Sequence, residues 1–154
     1  MPVLKLVEGS SALLAEEIVT EITLSEWRQG ARPEGGPFAL ALPNDSDLGE
    51  VAGALARFSM IIVNFPTFKD GRAYSQARLL RDRYGYKGVI CARGEVLYDQ
   101  ASFMARAGIN AFEIEDERKE VFLKALSEIS YVYQRASDAS EPVWRLRALR
   151  AEAA

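Results

Sequence analysis

Ile61-Ile62-Val63-Asn64-Phe65-Pro66-Thr67-Phe68-Lys69-Asp70-Gly71-Arg72-Ala73-Tyr74-Ser75-Gln76-Ala77-Arg78 reads as a buried strand, a short loop and the start of a helix. The apolar run from Met60 to Val63, with Phe65, suits a strand covered on both faces. Pro66 cannot donate to a sheet ladder, so the strand ends near Phe65. Asp70-Gly71 is a turn signal, and Asp70 is a candidate cap for the helix that follows. A helix that starts directly after a parallel strand is a common place for an anion in α/β proteins.

Outward from this stretch the same pattern recurs. Phe38 to Leu42, Met60 to Phe65, Gly88 to Ala92 and Ile109 to Ile114 read as strands. Each is followed by a helical pattern: Leu48, Val51, Leu55 and Phe58 after the first, Arg72 to Tyr84 after the second, Val96 to Ala107 after the third, and Asp116 to about Arg135 after the fourth. Asp47 and Glu50 resemble a capping pair, and Gly85 and Gly108 are natural helix stops. In the fourth helix Val121, Phe122, Ala125, Leu126, Ile129 and Val132 are expected to face inward. Four consecutive β-α units predict a mainly parallel α/β sheet with right-handed crossovers. Two architectures fit: an open doubly wound sheet, or half of a (β/α)8 barrel. A half barrel leaves edges that need a dimer partner or a covering hairpin.

Residues 1–36 read as an N-terminal extension, 37–135 as the β-α core and 136–154 as a helical tail, all within one domain. In the extension, Val3 to Val7 suits a short edge strand, Ile18 to Leu24 another strand, and Ser25 to Arg28 a capped helical turn. Gly35-Gly36 precedes a strand rather than a helix, so it reads as linker and not as a phosphate loop. Pro142 opens a short basic helix carrying Arg145, Arg147 and Arg150, expected to dock on the core or on a partner subunit.

Composition narrows the chemistry. The chain has 154 residues, a net charge of −3 and no histidine. A Ser-His-Asp triad, a Cys-His pair and a histidine zinc site are therefore ruled out within the chain. The one cysteine, Cys91, allows no internal disulfide and fits a reducing, cytoplasmic setting. The acidic balance argues against nucleic acid as a partner, and no apolar run is long enough for a membrane span. No Gly-x-Gly-x-x-Gly follows a strand, so no cofactor is expected, and no metal site.

The strand-tip rule then collects the candidate site. Asp70, Gly71, Arg72, Tyr74 and Ser75 at one helix start, with Arg93 after the third strand and Asp99 and Gln100 at the next helix, form a candidate seat for a small oxoanion. Arg78 is six residues from Arg72 and falls on another helical face. The competing reading is a helix cap with structural ion pairs, such as Arg72 with Asp99. Glu113 and Glu115 are candidate acid–base groups, with strand-end polarity as the simpler account. Cys91 reads as packing, although Arg93 two residues on points to the same face.

The block from Phe65 to Arg81, with Gly88, Gly94-Glu95-Val96-Leu97, Asp99-Gln100 and Arg106-Ala107-Gly108, resembles the bacterial domain of unknown function 934 family over roughly residues 36 to 130. That family carries the label of an oxidoreductase or accessory protein of sulfite reduction. The resemblance implies a role in assimilatory sulfur metabolism, with sulfite reductase or another sulfate-assimilation enzyme as a partner. The leading expectation is an accessory protein, forming a homodimer, that binds a small oxoanion or a reductase at the strand-tip rim. The alternatives are an oxidoreductase with a borrowed flavin or nicotinamide, and a purely structural interaction module.

Overall fold

The computed structural model describes residues 3–7, 11–15, 19–32, 37–129, 131–138 and 140–153. The Gly35-Gly36 linker and residue Ile18 of the expected N-terminal strand lie outside them. Seven strands form one sheet in the order β2-β1-β7-β6-β5-β4-β3. They are β1 (Val3–Val7), β2 (Ser11–Ala15), β3 (Thr20–Thr23), β4 (Phe38–Leu42), β5 (Met60–Phe65), β6 (Val89–Gly94) and β7 (Ala111–Glu113). β3 to β7 are parallel and follow one another in sequence order. A doubly wound sheet requires that order to reverse at a switch point; here it never does. The winding is that of a barrel, with a β3–α1 step (α1, Leu24–Arg28) ahead of the four expected units.

β1 is not an edge strand. It lies antiparallel between β7 and β2, and the hairpin takes over the edge. That leaves β2 and β3 at opposite edges, separated along the chain by only five peptide steps, Ala15 to Thr20. Five steps span at most about 18 Å, whereas the edges of a flat seven-stranded sheet stand about 29 Å apart. The sheet must therefore be rolled. Register agrees: Glu21 pairs through Ala39 and Met60 to Val89, yet Glu21 reaches Arg93, four residues further along β6. A four-residue stagger over three strand steps is close to the shear of about one residue per strand of (β/α)8 barrels.

Rolling gives the sheet two unlike faces. The outer face places Leu40, Leu42, Ile61, Val63, Phe65, Ile90 and Phe112 under the helices. The inner face is lined by Ala39, Met60, Ile62, Val89, Cys91 and Ala111, small or slim residues suited to a narrow bore. β5 is buried on both, as the apolar run from Met60 predicts.

The helices are α2 (Arg72–Asp82), α3 (Ala101–Arg106), α4 (Lys119–Ser127) and α5 (Val143–Glu152). Three sequence expectations change here. The segment after β4 forms two 3₁₀ helices, Leu48–Glu50 and Ala52–Arg57, rather than one α-helix. Gly49 and Gly53 weaken α-helix there, yet Leu48, Val51, Leu55 and Phe58 all still reach the core. Asp47 caps the first of these turns through Gly49 N at 2.8 Å, while Glu50 pairs with Arg28 instead of closing a capping box. α4 stops at Ser127, whose hydroxyl bonds back to the Lys124 carbonyl. Beyond it Tyr131, Val132 and Tyr133 favour extended chain, and Val132 bridges to Pro142. In α4 only Phe122 is buried; Val121 and Ile129 face outward.

β6 ends at Gly94, with φ of +101°, where a Cβ would fall on the Phe65 carbonyl oxygen. Gly94→Ala should therefore lower unfolding free energy by about 1–3 kcal/mol, read from urea denaturation. Lys69→Ala on the neighbouring exposed loop should stay within about 0.5 kcal/mol.

Candidate functional site

The loops after β4, β5 and β6 meet at one rim. Asp70 is its hub. Its carboxylate accepts from Asn44 Nδ2 at 2.6 Å, from Arg72 Nη2 at 2.6 Å, from Arg72 Nε at 3.0 Å and from the Arg72 backbone N at 3.2 Å. The N-cap of α2 is Gly71, so Asp70 acts from one residue before it, still satisfying one helix-start amide. The expected Arg72–Asp99 pair does not form; Arg72 turns back onto Asp70.

The Asp70 side chain is 20% exposed, whereas that of Arg72 is 59% exposed. The Arg72 guanidinium beside it, with the Arg72 amide, holds the Asp70 carboxyl down at about 2. Two guanidinium nitrogens of Arg72 are engaged; Nη1 makes no hydrogen bond among the described residues. Ser75, one turn along α2, is exposed.

The loop between β5 and α2 is stapled in place. Phe68 N donates to Glu95 Oε2 at 2.8 Å, and Gln100 Nε2 donates to Phe68 O at 3.3 Å. Tyr74 stands edge-on to Phe65, with ring centroids 5.2 Å apart. Burial, then the charge of Asp99, raises the Tyr74 hydroxyl above its ordinary value. Gln76, 5% exposed, donates to Pro43 O at 2.8 Å and ties α2 to the loop after β4. Its Oε1 is buried without a partner among the described residues.

Arg93 stands apart from this cluster. Alternation along β6 turns it to the inner face with Cys91, as the two-residue spacing suggests. There Nη1 and Nη2 donate to the Glu21 carboxylate at 2.7 and 2.8 Å, and Nε donates to Glu113. All three guanidinium nitrogens are spent on two carboxylates, which raises the Arg93 pKa and leaves no fork for an anion. The triad lines an open pocket of about 150 Å³ together with Ala39, Ile62 and Cys91. Burial, then the Glu113 charge, pushes the Cys91 thiol up to about 12. Arg78, as expected, is elsewhere, paired with Asp82 at 3.2 Å.

The structure thus brings together Asp70, Gly71, Arg72, Tyr74, Ser75, Asp99 and Gln100 around one rim, and assigns Arg93 to the bore. Sequence reasoning missed Asn44, Gln76 and Glu21. Gln76 carried a signal: it sits three residues after Ala73 and four before Leu80, a polar group inside the apolar stripe of α2. Glu21 gave none, because its partner is 72 residues away.

A family model described as a bacterial protein of unknown function (DUF934) matches residues 39–144. Comparison with curated proteins gave no match.

Two solution measurements check this geometry. Because the Asp70 pKa is depressed in the fold, its contribution is present above the usual carboxylate range and disappears as pH falls toward about 2. Asp70→Asn should accordingly flatten the loss of stability between about pH 4 and 2 relative to the parent chain, read as urea midpoints. Cys91 should stay inert to a thiol reagent at about pH 8 until denaturant is added.

Proposed function

We propose that this chain, which belongs to the DUF934 family of bacterial proteins, is an accessory binding protein that holds a small oxoanion at the rim around Arg72, with sulfite reduction as the setting that the sequence resemblance implies. The observation that carries this reading is the state of Arg72. Its guanidinium is oriented by Asp70, itself held by Asn44, while Nη1 makes no hydrogen bond among the described residues. An oriented, half-exposed guanidinium beside helix-start amides and the Ser75 hydroxyl suits a tetrahedral or pyramidal oxoanion. Sulfite and sulfate are the anions that the sequence resemblance implies.

Binding is favoured over proton transfer by the titration states. Asp70 is locked ionised, Tyr74 is shifted away from neutrality, and Cys91 is held as a thiol. An acid–base catalyst works best with a pKa near the operating pH; none of these three has one. The exposed Phe68 and Lys69 on the stapled loop offer a contact for the reductase that would consume the anion.

Calorimetric titration with sulfite, sulfate and phosphate tests the proposal. Arg72→Ala should weaken anion binding at least about tenfold, since a charge-assisted bond contributes about 1.5–3 kcal/mol. Absence of heat with all three anions, or unchanged binding in Arg72→Ala, overturns the reading.

A further inference from the structure

The rim that seats Arg72 is acidic. Asp45 and Asp47 follow β4, Lys69 and Asp70 follow β5, and Glu95 and Asp99 follow β6. With Arg72 that makes five carboxylates against two cations. Three of the carboxylates have structural work. Asp70 holds Arg72, Asp47 caps a 3₁₀ turn through Gly49 N, and Glu95 accepts from Phe68 N. Asp45 and Asp99 have none: both are exposed, and neither side chain makes a hydrogen bond or ion pair among the described residues. Arg28, the other guanidinium that feels Asp45, is paired with Glu50 at 2.8 Å.

The charges of these two carboxylates reach the start of α2. Asp70 first, and Asp45 behind it, raise the Arg72 guanidinium above its ordinary value. Burial, then the charge of Asp99, does the same to the Tyr74 hydroxyl. Arg72 therefore offers one positive charge, already matched by Asp70, inside a negative surround supplied from two separate loops. Such a field repels a ligand in proportion to the ligand's own charge, so a dianion meets about twice the repulsion of a monoanion. A protonated anion also carries a hydrogen to donate to a carboxylate or to the Ser75 hydroxyl, which a fully ionised one lacks.

We infer that, given the anion seat at Arg72 proposed above, the rim selects by charge: it takes a singly charged oxoanion and rejects doubly charged ones, with Asp45 and Asp99 setting the preference. Among the oxoanions of sulfur, hydrogen sulfite is then the ligand, and the sulfite and sulfate dianions are the excluded forms. The chain has no histidine, the side chain whose ordinary ionisation falls between about pH 6 and 8. The second ionisation of sulfite does fall in that window. A change of sulfite affinity across it therefore follows the ligand's proton and not one of the rim's.

Affinities of the full chain for sulfite, sulfate and methanesulfonate, measured by calorimetry between about pH 6 and 8, test this. Sulfite should bind more tightly as pH falls and its dianion gains a proton. Methanesulfonate, singly charged throughout, should bind with an affinity independent of pH. Sulfate should bind at least about tenfold more weakly than methanesulfonate. Asp45→Asn with Asp99→Asn should narrow that gap at least about threefold, at an unchanged thermal midpoint because neither side chain is bonded. Sulfate binding as tightly as methanesulfonate, sulfite binding that strengthens as pH rises, or a gap unmoved in the double variant overturns the inference and leaves the Arg72 seat standing. Failure of all three anions to bind overturns both.

Discussion

Arg93 holds three strands together across the inside of the rolled sheet. It bonds to Glu21 on β3 and Glu113 on β7 from its own place on β6. In a flat sheet β3 and β6 stand about 14 Å apart, so this contact exists only because the sheet curls. Glu21 and Arg93 are each about one-third exposed, so the bidentate pair adds modest stability. The Glu113 side chain is only 14% exposed, and losing its partner would leave a poorly solvated carboxylate. The triad therefore counts more for the shape of the sheet than for its net stability.

That shape decides what the rest of the chain can do. With one winding direction, residues of α1 to α4 cover the outer face, and the inner face is lined by Ala39, Met60, Ile62, Val89, Cys91 and Ala111. The loops at the carboxyl ends of the strands are left as the surface where polar groups converge. Glu95 and Gln100 clamp the backbone of Phe68, and Gln76 and Asn44 join the loop after β4 to the same structure. Four bonds from four elements hold Arg72 and its neighbours in one arrangement before any ligand arrives. Such preorganisation lowers the ordering cost of binding.

The body leaves Phe68, Leu79, Tyr98, Phe103, Val121 and Ile129 exposed, and residues 131–153 add Tyr131, Tyr133, Trp144 and Leu149 at the surface. No helix among the described residues is long and apolar enough to cross a membrane.

Local patterns were legible in the sequence. The apolar run at Met60–Phe65, the turn at Asp70-Gly71 and the order of the four strands depend on neighbours a few residues apart, and they stand as read, whereas the helical segments after β4, β6 and β7 are shorter or of another type than expected. Glycine content at 49 and 53 and the β-favouring run after Ser127 were weaker signals, and there tertiary context set the helix type and end. Which architecture forms, where Arg93 points its charge, and that Arg72 turns to Asp70 rather than Asp99 were left open by the sequence. Each depends on strand order and curvature, which bring residues as distant as Glu21 and Arg93 into contact, and no pattern of local spacing encodes a pairing across 72 positions.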